Sequence, residues 1–496
     1  MTSLAPNPLF VSLITTATTL PILLFALPSG ILSDIFDRRS ILLITCVYMF
    51  TISTALGVLT LVGLTTTTVL LILTFALGAG TTMIRTPIIP TMSGLVSRSE
   101  IPNALTLSAL ASNLGRVIGP TVGGFIVAAF APWAIFFLNS ASFIGMMIVL
   151  SRLPRKPNLN NYQQQSSLPP ENIIRAIRIQ LRYIRYSQAA HVLIVRVGLF
   201  TLCSSALLSL LPLLAKHELA LDSIGFGLLL GSFGAGAIIG GIVILPRLRK
   251  ASVESLITAS IVLLAIVTLT MGYVRVFDLA CVVMGLGGVA YITILSKFYI
   301  IGIKSAPKWI GARVLAVYLL VLNGGLVVGS VIWGTVANTF GIPVTLLVAS
   351  LALAATIIAR KPYSSKLLDD LDFTPSDHWS LPPQSSIDPK QDDNRALVTI
   401  EYKNIDPKLS QEFERSIHEL GRILKSEGMA YWELFQDPSD ISHYIEISIA
   451  DTWTDHMRQH ENVTKNVQDM ENRILELIKD CPPPTILHYI GKSAPK

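Results

Sequence analysis

Ionisable and amide side chains lie inside several long apolar segments of this sequence. They are Arg85, Arg116, Arg196, Asn113, Asn139 and Asn323. A charged group in the hydrocarbon of a bilayer is costly and by default indicates function. A substrate cavity with arginines and no carboxylate favours an anionic or catechol-like substrate over a cationic one. The alternative is structural, since Arg85 and Arg116 could bond helix carbonyls and hold their two helices together.

Carboxylates and nucleotide-binding motifs are missing from these segments. No Asp or Glu lies deep within any of them, although proton relays in membranes commonly use an embedded carboxylate. The sequence contains no GxxxxGK(S/T) phosphate-binding loop, which excludes a fused ATPase of that type. Secondary transport of a small-molecule substrate without a cofactor is the default prediction, and the coupling ion stays open.

Two histidines near the C-terminus have the spacing of metal ligands. His456 and His460 are four residues apart on a predicted helix, which could place two imidazoles on one metal ion. The sequence offers no evident third ligand, so a polar helix surface is preferred and no metal site is predicted. Trp432, His443 and Trp453 would indicate an enzyme only by analogy of fold. The protein is therefore not predicted to be an enzyme.

The elements that carry these residues follow from composition. The chain has 496 residues, 51% hydrophobic and only 14% charged, whereas soluble domains carry about 25% charged residues. Apolar stretches of about 20 residues can cross a bilayer. Eleven such segments are present, at 9–33, 40–62, 67–93, 104–130, 132–151, 189–214, 223–245, 252–273, 277–303, 312–338 and 342–359. The sequence predicts an all-α polytopic membrane protein with a soluble tail.

Lysine and arginine are concentrated in alternate loops between these segments. Arg38, Arg39, Arg247, Lys304 and Arg360 lie on one side, and the opposite loops carry little positive charge. By the positive-inside rule the basic side is cytoplasmic, together with the C-terminal tail. The net charge of +6 therefore orients the chain in a cell membrane and does not indicate nucleic-acid binding.

A long basic loop separates two halves of the membrane part. The predicted organisation is an N-terminal half at 1–151, a linker at 152–188, a C-terminal half at 189–360, a second linker at 361–392 and a soluble domain at 393–496. Within the first linker one helical face carries Arg175, Arg178, Arg182 and Arg185. This pattern fits a helix on the inner leaflet, or equally a solvated linker helix packed on the bundle.

Glycines recur at every fourth position in "LGRVIGPTVGG", residues 114–124. Gly115, Gly119 and Gly123 would form a smooth strip against which another helix packs closely. Pro120 bends this helix, and packing partners can satisfy the carbonyl that it frees. A simple helix-packing face is the alternative to a role in gating.

The two halves resemble each other in sequence at a shift of 210 residues. The shift pairs Asn113 with Asn323, Gly115 with Gly325, Gly119 with Gly329, Gly124 with Gly334 and Phe130 with Phe340. Transporters built from parallel repeats of six spans hold the substrate between the halves. In the second half Ser330 replaces the proline and Leu326 replaces the arginine.

Two motifs resemble those of the major facilitator superfamily. "GILSDIFDRRSIL", residues 30–42, resembles the signature loop between spans 2 and 3, and "GRVIGPTVGG" resembles the span-5 signature of antiporter-type exporters. The resemblance implies that Gly30 permits close helix approach, Asp34 caps and pairs across the loop, and Arg38 with Arg39 gates the cytoplasmic face. It also implies that the strip seals the cavity from outside, through Gly115, Arg116, Gly119, Pro120, Gly123 and Gly124.

The resemblance extends along the chain to the transmembrane secretion effector group, which includes the enterobactin exporter. "LLPLLAKHEL", "GFGLLLGSFGAGAIIGG" and "ARVLAVYLLVLNGG" are similar to that group. It implies export of a siderophore-like or other secreted metabolite by alternating access. A multidrug or macrolide pump is the alternative, and a membrane-tethered enzyme or sensor acting through the tail is the second. "GGIVILPRLRK" lacks the acidic residue of the signature loop, so asymmetric gating is expected.

The beginning of the sequence resembles an internal part of that family. "MTSLAPNPLFVSLITTATTLP" is similar to the end of span 1, the outer loop and the start of span 2. The family has twelve spans with both termini inside the cell. We therefore expect either that a first span of about 20 residues is encoded upstream of Met1, or that the chain is a truncated copy that lacks one wall of the cavity.

The tail has the pattern of a small α+β domain. Strands are predicted at 395–402, 429–436, 443–450 and 484–490, and helices at 407–425 and 452–479. This βαββαβ order predicts a ferredoxin-like fold. The tail resembles the domains of antibiotic-biosynthesis monooxygenases, in which two chains share a barrel, so a homodimer through this domain is expected.

Overall fold

The computed structural model of the protein describes residues 7–96, 100–152, 182–248, 251–304, 308–358, 376, 378–379, 394–426 and 429–491. The chain divides into two compact units. The first comprises residues 1–156, 195–299 and 318–364, and the second comprises 157–194, 300–317 and 365–496. The described membrane helices belong mainly to the first unit, and the C-terminal domain belongs to the second.

Eleven long helices correspond to the eleven predicted apolar segments within a few residues. They are α1 (Pro8–Ile35), α2 (Arg38–Leu61), α3 (Thr67–Leu95), α4 (Ile101–Phe130), α5 (Pro132–Arg152), α6 (Gln188–Leu213), α7 (Ser223–Ile239), α8 (Val253–Tyr273), α9 (Phe277–Lys304), α10 (Lys308–Phe340) and α11 (Ile342–Ile358). π-helical turns continue α6 over Leu214–Glu218 and α7 over Gly240–Ile244.

Nine helices of the described part are long and apolar enough to cross a membrane. Two further apolar helical stretches, Ile118–Phe130 in α4 and Ile342–Ile358 in α11, are shorter. The polytopic helical prediction is confirmed by these helices, while the number of spans, including a twelfth, stays a prediction.

Polar residues just outside the apolar segments set where several helices begin. The backbone N–H of Leu9 donates to Asn7 Oδ1 at 2.9 Å, and that of Ser40 donates to Asp37 Oδ2 at 3.0 Å. Asp222 caps α7 in the same way by accepting from Gly225. Such side chains satisfy the free N–H groups of a first helical turn.

Helix pairing within each half uses small and hydroxylated residues. In the first half α1 packs on α3 and α2 packs on α5, and in the second α8 packs on α11. Between α2 and α5, Ser53 donates to the Phe136 carbonyl at 2.9 Å and Thr54 donates to Ser140 Oγ at 3.0 Å. Close packing with side-chain hydrogen bonds is the usual source of helix association in membranes.

The C-terminal domain contains a four-stranded antiparallel sheet in the order β2-β3-β1-β4. Its elements are β1 (Ala396–Tyr402), α12 (Ser410–Ser426), β2 (Tyr431–Asp437), β3 (Asp440–Ala450), α13 (Trp453–Asn462), α14 (Lys465–Leu477) and β4 (Thr485–Ile490). The helix predicted at 452–479 is wrong as a single helix, because it is interrupted at Val463 and Thr464, and Thr464 is the N-cap residue of α14.

Strand register assigns the residues of the sheet to two faces. One face packs on the helices and contributes Trp432 and Tyr444 to a core with Phe413, Ile417 and Val467. Alternate residues along each strand point to the opposite face. Most of the core therefore lies between one face of the sheet and the helices.

The first linker falls largely outside the described residues, including Arg175 and Arg178. Residues 182–186 are helical, and Arg182 forms an ion pair with Asp451 of the C-terminal domain at 3.1 Å. Lys425 of the same domain lies 6.0 Å from the centre of the Tyr186 ring. At Arg182 the linker therefore contacts the C-terminal domain, a partner that the sequence did not indicate.

Candidate functional site

The two halves of the membrane part approach most closely where α4 meets α7. A Cβ atom added at Gly124 would collide with the carbonyl oxygen of Ser223, and one added at Gly227 would lie 2.6 Å from the Pro120 carbonyl oxygen. Thr121 Oγ1 also donates to the Gly227 carbonyl at 3.3 Å. Only glycine fits at these two positions, so the helices are in backbone contact.

A second contact between the halves joins α1 to α10. The hydroxyl oxygens of Thr16 and Ser330 are 2.7 Å apart, and a Cβ atom at Gly334 would collide with Ser12 Oγ. Both contacts lie where α1 and α7 begin and α4 and α10 end, which the charge distribution predicts to be the outer side. We call the two contacts together the seam.

The glycine strip of α4 contacts its neighbours at one end only. An added Cβ atom at Gly123 would lie 2.9 Å from Ile135 Cδ1, whereas at Gly115 or Gly119 it would meet no atom within 4 Å. The sequence predicted close packing along the whole strip. Among the described residues no atom lies within 4 Å of a Cβ atom added at either of its first two glycines, so the close packing is limited to Gly123 and Gly124.

A cavity of about 740 Å³ lies beside the seam. Its lining includes Gly119, Pro120 and Gly123 of the strip, together with Lys216 and Asp222. Of the predicted substrate-cavity residues, the four whose side chains are described do not line it. They are Arg85, Asn139, Arg196 and Asn323.

Arg196 has a carboxylate partner that the sequence reading overlooked. Its guanidinium binds both carboxylate oxygens of Glu254, at 2.9 and 3.0 Å, and the two side chains are only 11% and 15% exposed. Glu254 lies in the first turn of α8, at the end of an apolar segment. Arg196 is thus paired with a carboxylate, and its place in a substrate cavity stays a prediction.

The other described candidates are also bonded to protein or exposed. Asn139 Nδ2 donates to Ser53 Oγ at 3.1 Å and joins α5 to α2. Asn323 Nδ2 donates to the Leu319 carbonyl of its own helix at 2.7 Å. Arg85 is exposed on α3. The side chains of Asn113 and Arg116 lie outside the described residues.

The signature loop holds two helices together through Arg39. This residue is the second of α2 and donates to the carbonyls of Leu150 and Ser151 at the end of α5, at 2.8 and 2.5 Å. Asp37, directly before the helix, caps α2 by accepting from the backbone N–H of Ser40, and the role expected of Asp34 stays a prediction. The side chain of Asp34 and the surroundings of Gly30 lie outside the described residues, and Arg38 is half-buried.

The C-terminal domain encloses a second cavity, of about 470 Å³, between its sheet and helices. His456 and His460 of α13 line it together with His488 of β4. Nitrogen atoms of the three imidazoles lie within 4.8 Å of one another. The structure therefore brings a third imidazole beside the two that the sequence singled out. Its signal was the alternation of "TILHYI", which places Ile486 and His488 on the same face as Val398.

Two carboxyl groups also line this cavity, the buried Glu446 and the half-buried Glu471. Glu446 accepts from Trp432 Nε1 at 2.6 Å and from the Tyr402 hydroxyl at 3.0 Å. Burial raises the pKa of the Glu446 carboxyl above its ordinary value, against the opposing effect of these hydrogen bonds. Glu471 is bound by His378 at 2.6 Å and by Trp379 at 3.0 Å, and burial raises its pKa as well.

The rings of His456 and His460 are arranged edge to face, and the ring of His488 is tilted against both. The ring centres of His456 and His460 are 4.7 Å apart, and those of His456 and His488 are 5.2 Å apart. Burial lowers the pKa of His456 to about 3, and the neighbouring imidazoles add to the effect. Neutral imidazoles of this kind can bind a metal ion or accept hydrogen bonds from a small ligand.

Comparison with known proteins gives the family. The profile of the transmembrane secretion effector family matches residues 1–496, the whole chain. The uncharacterized MFS-type transporter YfiS of Bacillus subtilis (strain 168) is 25% identical over 203 residues, which are 40% of this chain and 44% of that protein. The chain thus matches less than half the length of this relative.

Solved structures share the fold at low sequence identity. A variant of the nucleoside transporter NupG has a TM-score of 0.60 at 12% identity, over 72% of this chain and 91% of that one. A bacterial homologue of the human lysosomal transporter Spinster has a TM-score of 0.56 at 12% identity, over 73% and 89%. At these identities the likeness concerns the fold alone.

Three observations agree with one another. The family profile matches every residue, the relative is an MFS-type transporter, and solved transporters share the helical bundle. This chain belongs to the transmembrane secretion effector family of MFS-type transporters.

Proposed function

We propose that this protein exports a small secreted metabolite by alternating access of its two halves. Membership of an MFS-type family supports secondary transport. The glycine contact of α4 with α7 is the observation that supports export as the direction of transport and a gate at the outer side. That contact falls on the strip that resembles the antiporter signature, at the end predicted to face outward. It holds the outer side closed while the substrate loads from inside the cell.

The chemistry of the seam suits a gate that opens in every cycle. Gly124 and Gly227 contribute backbone contact, and two hydrogen bonds join the halves, one between Thr16 and Ser330 and one from Thr121 to the Gly227 carbonyl. Dispersion contacts and a neutral hydrogen bond are individually weak. The halves can therefore separate at the seam without leaving an unpaired charge in the membrane.

The substrate class rests on fewer residues than the sequence suggested. Arg196 is neutralised by Glu254, so the argument for an anionic, siderophore-like substrate now depends on Arg85 and Arg116. A multidrug or macrolide substrate is the alternative. Metabolite profiling of spent medium from a deletion strain would separate the two, because a siderophore exporter should leave an anionic chelator behind in the cells.

A reversible lock across the seam tests the proposed gate. The Thr16→Cys and Ser330→Cys pair replaces two hydroxyls that are 2.7 Å apart, so oxidation should join α1 to α10. The matched control is the Thr54→Cys and Ser140→Cys pair, whose hydroxyls are 3.0 Å apart within the first half. We expect oxidation to stop export only in the seam pair, and reduction to restore it. Undiminished export by a fully cross-linked seam pair would contradict the gate.

A sensor or enzyme acting through the C-terminal domain is a second candidate. The observation that favours it is the enclosed cavity with Glu446, Glu471 and three histidines. Deleting residues 393–496 separates the two functions. Export should survive the deletion if the membrane part is sufficient, and all activity should vanish if the tail acts alone.

We also propose that the C-terminal domain has a ferredoxin-like fold and forms a homodimer on the cytoplasmic side of the cell membrane. The β2-β3-β1-β4 order of antiparallel strands supports the fold. The sheet face opposite the core supports the dimer, since it carries half-buried or exposed apolar side chains. They are Leu397, Tyr431, Ile445, Ile447, Ile449, Leu487 and Tyr489.

The dimer is tested by placing a charge on that face. Leu487→Lys should shift the purified protein from dimer to monomer in light scattering, because burying an unpaired charge at an interface is costly. Glu419→Lys on exposed α12 is the control and should leave the mass unchanged. A monomeric wild-type protein would reject the dimer, and a reporter fused after residue 491 would test the cytoplasmic location.

A further inference from the structure

The three imidazoles of the C-terminal cavity form a cluster that transport does not use. We infer that His456, His460 and His488 bind one divalent transition-metal ion, with an open coordination position facing the cavity. The inference depends on the geometry of the C-terminal domain and not on the proposed export.

The spacing of the nitrogen atoms fits a single ion. In a tetrahedral zinc site with bonds of about 2.0–2.1 Å, two ligand nitrogens lie about 3.3 Å apart. The Nε2 atoms of His456 and His460 are 3.2 Å apart. A nitrogen of His488 completes the group within 4.8 Å, so a small rotation of its side chain brings it into the first coordination shell.

The backbone holds the three ligands on rigid elements. His456 and His460 are one turn apart on α13, which places them on the same side of the helix. His488 lies on β4, where its backbone is paired with Val398 of β1. A site built on a helix and a strand is more precise than one on loops.

The packing of His456 places its ring against the other two imidazoles. This residue is 2% exposed, and the centre of its ring lies 4.7 Å from that of His460 and 5.2 Å from that of His488. All three imidazoles also line the cavity. The three side chains therefore share one pocket, as the ligands of a single ion must.

The donor set selects the class of metal. Imidazole nitrogen suits zinc, copper, nickel and iron, whereas magnesium and calcium prefer oxygen ligands. Three histidines without a fourth protein ligand are typical of zinc sites that keep a position for water or substrate. That position would open toward the apolar cavity, which has room for a small molecule.

The test uses the full chain in detergent, purified through a histidine-free affinity tag and stripped with a chelator. Cobalt(II) is the probe, because a tetrahedral site gives an intense visible absorption and zinc should displace the ion. We expect one cobalt per chain by calorimetry and a loss of affinity of about a hundredfold or more in His488→Ala. His418→Ala should bind as the wild type does, because His418 is exposed and bonds its own helix through the Glu414 carbonyl.

A second ligand variant keeps the test decisive if His488→Ala fails to fold. His460→Gln changes a half-buried residue on the helix and should lose affinity to the same degree while retaining its elution profile. Equal cobalt binding by the wild type and the folded ligand variants would overturn the site. So would a wild-type protein without saturable binding.

Discussion

The glycine strips of α4 and α10 are repeats of one sequence pattern, yet only the second is packed along its length. A Cβ atom at Gly325 would collide with Thr201, and one at Gly329 would lie 2.5 Å from the Leu202 carbonyl oxygen. At the equivalent Gly115 and Gly119 an added Cβ atom meets nothing within 4 Å. A small-residue strip therefore gives close packing only where a suitable helix lies opposite.

Helix α6 is that partner in the second half. Thr201 and Ser205 face the strip with their hydroxyls already donated to carbonyls of α6, each at 2.8 Å. Trp333 of α10 adds a hydrogen bond to the Leu202 carbonyl at 2.7 Å. The polar atoms of this interface are thus satisfied, so backbone approach carries no desolvation penalty.

Ion pairs near both ends hold α6 in place. Arg196 pairs with Glu254 of α8, and Glu218 at the end of the π turn pairs with Arg275 in the loop after α8. The first pair is nearly buried and the second is partly exposed. Substitutions in these two pairs test whether the position of α6 determines the packing of the second strip.

The largest effect is expected from removing the carboxylate that neutralises Arg196. Glu254→Gln leaves a nearly buried guanidinium without its counter-charge, and breaking such a pair costs about 3–5 kcal/mol. We expect a large fall in the apparent Tm of the detergent-solubilised protein and faster hydrogen exchange in α6. The double variant Arg196→Leu with Glu254→Leu should recover much of the loss, because apolar replacements of buried pairs are often neutral. A double variant as unstable as the single one would contradict this account.

The next effect concerns the packed strip itself. Gly329→Leu would drive a side chain into Leu202 and Ser205, and overpacking of this kind costs about 1–3 kcal/mol or more. We expect a sharply reduced yield of monodisperse protein in size-exclusion chromatography. Gly119→Leu is the matched variant from the first strip and should retain the wild-type profile. If both variants elute alike, the two strips do not differ as described.

The seam should respond in transport more than in stability. Gly124→Leu places a side chain against the Ser223 carbonyl and keeps the outer ends of α4 and α7 apart. We expect near-normal yield with export reduced about tenfold or more, since the outer side can no longer close. Gly145→Leu on α5, where an added Cβ atom meets nothing within 4 Å, is the control. Full export by Gly124→Leu would remove the seam from the transport cycle.

The sequence predicted the helices and strands more accurately than the contacts between their side chains. All eleven apolar segments are helices because hydrophobic runs of that length, ended by polar caps, leave few alternatives. The pairing of Glu254 with Arg196 was not predicted, because Glu254 lies in the first turn of α8 and only the tertiary fold shows that Arg196 faces it. His488 was missed for the same reason, although strand alternation placed it on the inner face. The break at Val463 was missed because neither Pro nor Gly marks it.

The smallest effect is expected at the second ion pair of α6. The side chains of Arg275 and Glu218 are 43% and 25% exposed, and solvent-exposed pairs contribute only about 0.2–1 kcal/mol because water screens them. Arg275→Gln should therefore lower the apparent Tm by far less than Glu254→Gln and leave hydrogen exchange of α6 near Thr201 unchanged. High salt should reduce the effect of Arg275→Gln on the apparent Tm and leave that of Glu254→Gln nearly unchanged, because salt screens exposed charges more than buried ones. If Arg275→Gln lowered the apparent Tm as much as Glu254→Gln, the pair at the outer end of α6 would hold the helix against the second strip as firmly as the Arg196 pair does.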